Sequence, residues 1–127
     1  MDGPLLALDF VQIDVWDWDK MVKFYQEVIG LEPIFLEPEH RYGWLLAGPI
    51  KLALRGVSTK PDGSFSRTSF QFKVSNIDNA ITELEAKGCV FHDKQLTGTE
   101  GWKVAYFRDP EGNSIAVYCQ EERGKTG

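Results

Sequence analysis

The segment FRDPEGNSIAVYC, residues 107–119, couples a turn bearing proline and glycine to an alternating strand. Such a strand could hand an acidic side chain to a metal, yet the position where that acid belongs holds Ala116. Other groups must then supply any chemistry. Of the two histidines, His40 follows Glu37-Pro38-Glu39 in a connection and His92 lies in a return strand of the second half. Each reads as a solvated loop or edge histidine rather than a metal ligand, because a metal site needs several suitable donors together. Cys89 and Cys119 match no CxxC or zinc spacing and read as reduced, largely buried thiols. What remains is a set of polar and aromatic residues in alternating strands: Phe10, Gln12, Asp14, Arg55, Ser69, Gln71, Lys73 and Tyr118, with Trp44, Trp102 and Tyr106 offering ring surface.

The elements that position these residues follow from periodicity. FVQIDV, residues 10–15, places Val11, Ile13 and Val15 on one face and Phe10, Gln12 and Asp14 on the other. A helix follows, with Asp17 as N-cap, Trp18, Met21, Val22, Tyr25, Val28 and Ile29 as the apolar stripe, and Gly30 as the stop. The program begins again at SFQFKV, with Phe70, Phe72 and Val74 opposed to Ser69, Gln71 and Lys73. Asn76 repeats the cap, Ile77, Ala80, Ile81 and Leu84 the stripe, and Gly88 the stop. Strand end, cap and stop recur 59, 59 and 58 residues later, and Gly43-Trp44 is echoed at Gly101-Trp102. Candidate return strands are LEPIFLE, RYGWLLA and IKLALR in the first half and CVFHDKQL, GWKVAYF and NSIAVY in the second. This is an internal duplication of two βαβββ modules, an α+β chain. The first covers about 8–55 and the second about 67–119, with a Gly-, Pro- and Ser-bearing linker at 56–66 and a tail at 120–127.

Composition narrows the function classes. At 127 residues, with 43% hydrophobic and 13% aromatic content, the chain suits one folded domain spanning 1–127. A formal charge of −5 and a pI near 5.0, without a basic run, argue against nucleic acid or an anionic membrane as partner. No segment approaches the roughly 20 apolar residues of a membrane span, and MDGPLLALDF lacks the basic flank of a signal peptide, so a cytoplasmic location is expected.

Two stretches, V-x-D-W-D-K-M-V-K-F-Y-Q-E-V-I-G-L at Val15 to Leu31 and F-R-D-P-E-G-N-S-I-A-V at Phe107 to Val117, resemble the vicinal oxygen chelate superfamily. That superfamily includes glyoxalase, extradiol dioxygenases, fosfomycin-resistance enzymes and bleomycin-binding proteins. The resemblance runs from about Leu8 to Cys119. It implies two modules curling eight strands around a shared cup, helices on the outside, and a homodimer. It also implies, in metal-dependent members, four ligands from the first and last strand of each module. Carried over position by position, those places hold Phe10, Ala53, Ser69 and Ala116, of which only the Ser69 hydroxyl could donate a lone pair. The expectation is therefore no metal and no cofactor.

On this register the inward residues are Phe10, Gln12, Asp14, Ala53, Arg55, Ser69, Gln71, Lys73, Ala116 and Tyr118, with Trp44, Trp102 and Tyr106 around the walls. Small residues at the former ligand places imply space, rings imply stacking area, and polar groups imply orientation of a small molecule. The charges Asp14, Arg55 and Lys73 also read as rim groups that pair with one another. Three functions follow: metal-independent binding of a small, planar or aromatic ligand, as in bleomycin-resistance-like proteins; an enzyme of lyase, isomerase or dioxygenase type, using Asp14 or Tyr118 or a displaced metal; or a partner-binding subunit. Binding is favoured, since a shared fold licenses no reaction by itself.

Overall fold

The computed structural model describes residues 3–60, 62, 69–94 and 101–120. The chain divides into two units, residues 1–62 and 63–127, each with its own sheet and helix.

In the first unit, β1 (Phe10–Val15) leads into helix α1 (Trp18–Lys23), and β2 (Glu32–Glu37), β3 (Tyr42–Ala47) and β4 (Ile50–Gly56) return as a meander. The sheet order is β1-β4-β3-β2, with β1 and β4 parallel and the other pairs antiparallel. Asp17 caps α1, its carboxylate accepting from the Lys20 N–H at 3.2 Å. Beyond Lys23 the helix widens into a π-helical turn, Phe24–Val28, where Ile29 and Gly30 donate to the carbonyls of Phe24 and Tyr25 five residues back. Gly30, at φ 89°, ends it in the left-handed conformation that glycine adopts without Cβ strain. Edge strand β2 tolerates Pro33, which lacks an N–H, and its register with β3 shifts between Pro33 and Phe35.

The second unit repeats the plan with fewer parts. Strand β5 (Ser69–Lys73) leads into α2 (Ile77–Ala86), and β6 (Trp102–Arg108) and β7 (Ser114–Gln120) complete a sheet of order β5-β7-β6, with β5 and β7 parallel. Asn76 caps α2, accepting from Asn79 N–H at 2.9 Å, and Gly88 stops it at φ 97°. The turn between β6 and β7 is organised by Asp109, a buried acid. Its carboxylate accepts from the Glu111 and Asn113 backbone N–H groups, both at 2.9 Å, and from Asn113 Nδ2 at 2.7 Å. Asp109 therefore serves the turn.

Three sequence expectations need correction. Among the described residues there are seven strands in sheets of four and three, and the expected eighth, CVFHDKQL, is represented at 89–94 by the single bridge of Asp93 with Tyr106. Its apolar residues serve elsewhere: Cys89 N–H donates to the Leu84 carbonyl at the helix end, and the Phe91 ring packs on Phe107 at 4.9 Å. Residues 95 and 96 of that segment, and 97–100 after it, lie outside the described residues, as do most of the second half of the linker and the tail from 121. Val22 and Leu84 are half-buried, whereas Val15, Met21, Tyr25, Leu45 and Leu54 are buried in the first unit and Ile77, Ile81, Phe107 and Ile115 in the second. Finally, Ala53 faces Trp44 across β3–β4 while Ala116 faces Tyr106 across β6–β7. The structural counterpart of Trp44 is thus Tyr106, and the Gly-Trp echo at Gly101-Trp102 is a coincidence of sequence.

Met21→Ala should lower unfolding stability by about 2–5 kcal/mol, because a fully buried side chain leaves both lost burial and a cavity. Val22→Ala, one position round the helix, should cost clearly less. Urea denaturation of both variants measures the difference, and equal losses would show that the helix presents a different face to its sheet.

Candidate functional site

Parallel pairing puts partners on the same face of a sheet. In the first unit Phe10, Gln12 and Asp14 stand beside Lys51, Ala53 and Arg55, and β3 adds Leu46, Trp44 and Tyr42 opposite those three. Phe35 extends the row on β2. The opposite face, with Val11, Ile13, Val15, Leu45, Leu52 and Leu54, supplies the core under α1. The sequence-predicted members Phe10, Gln12, Asp14, Trp44, Ala53 and Arg55 thus share one surface.

That surface is an aromatic cluster with a polar border. The Trp44 ring lies 5.1 Å from Phe10 and 5.2 Å from Phe35, and Phe35 lies 6.0 Å from Tyr42, all in tilted geometries. Lys51 Nζ sits 5.3 Å from the Trp44 ring and 2.8 Å from Asp9 Oδ1, a cation held over a π-face. Trp44 Nε1–H donates to Tyr42 Oη at 2.9 Å, and the Tyr42 hydroxyl donates to Gln12 Oε1 at 3.2 Å. Tyr42, Phe35 and Lys51 escaped sequence reasoning. Their signal was present, since residues two and four apart on neighbouring strands share a face, but it becomes usable only once β3 and β4 are in register.

Arg55 and Asp14 form a two-pronged pair, with Nε to Oδ1 at 2.8 Å and Nη2 to Oδ2 at 2.9 Å. The hydrogen bond from Arg55 holds the Asp14 carboxyl below the usual aspartate value, desolvation opposing and the Arg55 charge assisting. The rim-pairing expectation thus describes these two residues.

In the second unit Ser69, Gln71 and Lys73 pair with Ser114, Ala116 and Tyr118, and Tyr106 stands opposite Ala116. The five predicted residues Ser69, Gln71, Lys73, Tyr106 and Tyr118 therefore share a face with Ala116. Trp102 occupies the first position of β6, opposite Gln120. The His92 ring lies 6.3 Å from that of Tyr106, placing the histidine beside this row.

One expectation about the site is overturned. Ala53 and Ala116 are both fully buried, so the small side chains leave no open space for a ligand at those two points. The accessible parts of the first unit's surface include the half-buried Phe10, Phe35, Tyr42, Trp44 and Lys51 and the exposed Gln12, Asp14, Leu46 and Arg55.

The donor chemistry does not fit a divalent metal at the four positions named by resemblance. Phe10, Ala53 and Ala116 carry no donor atom, and the nearby Gln12 oxygen and Asp14 carboxylate are already engaged by Tyr42 and Arg55. Among the described residues, Glu37, Glu39 and His40 bring three donor atoms within 4.8 Å of one another on the β2–β3 turn, all exposed. Three such solvated side chains would leave a cation largely hydrated. Cys89 and Cys119 are buried free thiols, and burial pushes the Cys89 pKa up, which suppresses the reactive thiolate. No described helix is long and apolar enough to cross a membrane.

With fold and surface in place, the comparisons define the class. The model of the Glyoxalase/Bleomycin resistance protein/Dioxygenase superfamily matches residues 7–117, and the chain belongs to that superfamily. It is 31% identical over 121 residues to the Bacillus subtilis protein YraH, an alignment covering 85% of this chain and 94% of the relative. A glyoxalase family protein from Bacillus anthracis superposes with a TM-score of 0.77 at 21% identity, covering 95% of this chain and 100% of the other. Lactoylglutathione lyase from Agrobacterium tumefaciens gives 0.74 at 23%, covering 92% and 96%. These structural likenesses establish the fold.

Two measurements check this chemistry. Elemental analysis of protein purified without chelator should find clearly substoichiometric zinc, nickel, manganese and iron; a stoichiometric ion held by the residues around Phe10 and Ala53 would overturn the fit. For Asp14, the folded pKa lies below the ordinary 3.8. The stabilisation from its pair is then present above that value and is lost as pH falls through the lower folded value. Asp14→Asn should remove this contribution, flattening the loss of stability as pH falls through 3.8 and below relative to the parent protein.

Proposed function

We propose that the protein binds a small planar or aromatic molecule on the Trp44 face of its first sheet, without a metal. One observation carries the proposal: half-buried Phe10, Phe35, Tyr42 and Trp44 form a continuous ring surface on the side of the sheet turned away from α1. Aromatic residues that remain half-exposed beside a sheet provide large contact area with little conformational entropy to lose, which suits stacking of a flat ligand. The Trp44–Tyr42–Gln12 hydrogen-bond chain holds the rings in one orientation and leaves the Gln12 amide nitrogen as a polar handle at the edge. In the second unit, Ser69, Gln71, Lys73, Tyr106 and Tyr118 occupy the equivalent sheet face, and that face is proposed in its own right as ligand-binding. A cytoplasmic homodimer is part of the same proposal.

Catalysis is the alternative reading, and the Agrobacterium neighbour's name as a lyase makes it concrete. Asp14 is poorly suited to act as its general base. The Arg55 pair lowers its pKa, and a more acidic carboxyl is a weaker base at neutral pH.

A panel of planar aromatic compounds, screened by quenching of tryptophan fluorescence and by thermal shift, should yield ligands that raise the melting temperature by mass action. Trp44→Ala should weaken the best ligand by about tenfold or more, the scale of a lost stacking anchor. Treatment with chelator should leave affinity unchanged. A folded Trp44→Ala variant with full affinity would move the ligand off this face, and metal-free turnover of a hit would place the protein among the enzymes.

A further inference from the structure

A second site lies at the corner of the first unit where β1 enters α1. Trp16, Asp17, Trp18, Asp19, Pro38 and Arg41 line an open cavity of about 360 Å3, near the lower end of the roughly 300–1,000 Å3 that small-molecule pockets occupy. The paired tryptophans and aspartates of the W-D-W-D segment supply one wall, and the β2–β3 turn supplies the other.

Two charges of this cavity, on Arg41 and Asp19, form no ion pair among the described residues. Arg41 uses Nη2 to donate to the backbone carbonyls of Trp16 and, at 3.4 Å, of Val57. Neutral carbonyls orient a guanidinium without cancelling its charge. Among the described residues no carboxylate lies within ion-pair distance of Arg41, in contrast to Arg55, which Asp14 grips with two oxygens. Nε–H and the Nη1 protons of Arg41 remain available as donors. Across the same cavity Asp19, exposed in the first turn of α1, makes no ion pair with a described residue. Opposite charges that share a cavity without closing on each other present a complementary pair of anchors to a molecule carrying both signs.

Arg41 is also held in place at a cost in backbone conformation. Its φ of 51° is the only positive value among described non-glycine residues, and such a conformation persists only where surroundings over-determine it. The backbone does so here: Arg41 N–H donates to Pro38 O at 3.1 Å, and Gly56 N–H donates to Arg41 O at 2.7 Å. A Cβ at Gly56 would come within 2.5 Å of the Arg41 Cβ and 2.9 Å of its Nε, so glycine there lets the arginine lie flat along the sheet end. The Trp16 ring is itself held by the protein, with Lys60 Nζ 5.3 Å from its centroid.

We infer that this corner binds a small zwitterion of the amino-acid class. Its carboxylate meets the free N–H donors of Arg41, its ammonium meets Asp19, and its side chain lies against Trp16 and Pro38. A simple anion would be repelled by Asp17 and Asp19, and a simple cation by Arg41. Every residue involved belongs to the first unit, and the inference is independent of the ligand proposed for the Trp44 face.

Leucine is a suitable probe because it has both charges and an apolar, non-aromatic side chain that gains little from a stacking surface. Its deaminated and decarboxylated counterparts, isocaproate and isoamylamine, each retain one charge. Titration calorimetry on the full chain should find leucine binding, with both counterparts weaker by at least about tenfold, since each loses a charge-assisted contact. Asp19→Asn should reduce leucine affinity by about tenfold while isocaproate, relieved of a like charge, binds no more weakly than to the parent protein. Arg41→Gln should weaken both, with circular dichroism reporting whether the corner still folds; Asp19→Asn, on an exposed helix turn, keeps the test open if it does not. Trp44→Ala should leave leucine affinity unaltered. The inference is overturned if leucine fails to bind at millimolar concentration, if either counterpart binds as well as leucine, if Asp19→Asn binds leucine normally, or if Trp44→Ala abolishes binding.

Discussion

The parallel ladder between the first and last strand of each unit sets everything that follows. Side chains alternate across a strand with a period of two, so a slip of one residue between β1 and β4 would exchange the two faces of the sheet completely. The pairing of Gln12 with Ala53 and of Gln71 with Ala116 fixes both sheets in the same phase. That phase directs Val15, Leu52 and Leu54 towards the helix side and leaves Phe10, Asp14, Arg55 and Trp44 on the other. Burial on the helix side makes the slipped register costly, because it would expose the core and bury charges together.

The helices hold this phase from outside. Asp17 and Asn76 satisfy first-turn N–H groups, Gly30 and Gly88 end the helices, and the buried stripes Trp18-Met21-Tyr25 and Ile77-Ile81 cover the sheets. In the first unit the π-helical turn after Lys23 changes the spacing of the stripe. With five residues per hydrogen-bonded loop instead of four, the apolar residues beyond Tyr25 no longer follow the ideal helical phase. This accounts for Val28 and Ile29 being half-buried where simple periodicity placed them in the core.

The two faces then divide the labour. One side of each sheet is spent on stability. The other, in the first unit, carries rings fixed by a hydrogen-bond chain and a charge pair that is closed upon itself. Superfamily membership is consistent with that division, and three of the four metal-ligand positions, Phe10, Ala53 and Ala116, carry side chains without a donor atom. The W-D-W-D corner adds a contrast: its arginine is anchored by carbonyls and left charged, whereas Arg55 is neutralised by Asp14. Similar residue types are thus put to opposite uses by their partners.

Local pattern determined much of this protein from the sequence. The alternation of FVQIDV and SFQFKV, the caps and glycine stops, the duplication, and the absence of donors at Phe10, Ala53 and Ala116 were legible because each depends on neighbours within a few positions or on a repeat. So was the common face of Phe10, Gln12 and Asp14. Tertiary structure decided what periodicity cannot encode. The partnership of Asp14 with Arg55 spans 41 residues and that of Gln12 with Tyr42 spans 30, so each exists only after β3 and β4 have been laid beside β1. The full burial of Ala53 and Ala116, the reduction of CVFHDKQL to a bridge over its described part, and the anchoring of Arg41 beside Trp16 arise in the same way. Each depends on how separate segments compete for the same neighbours, and that competition is resolved only in the packed chain.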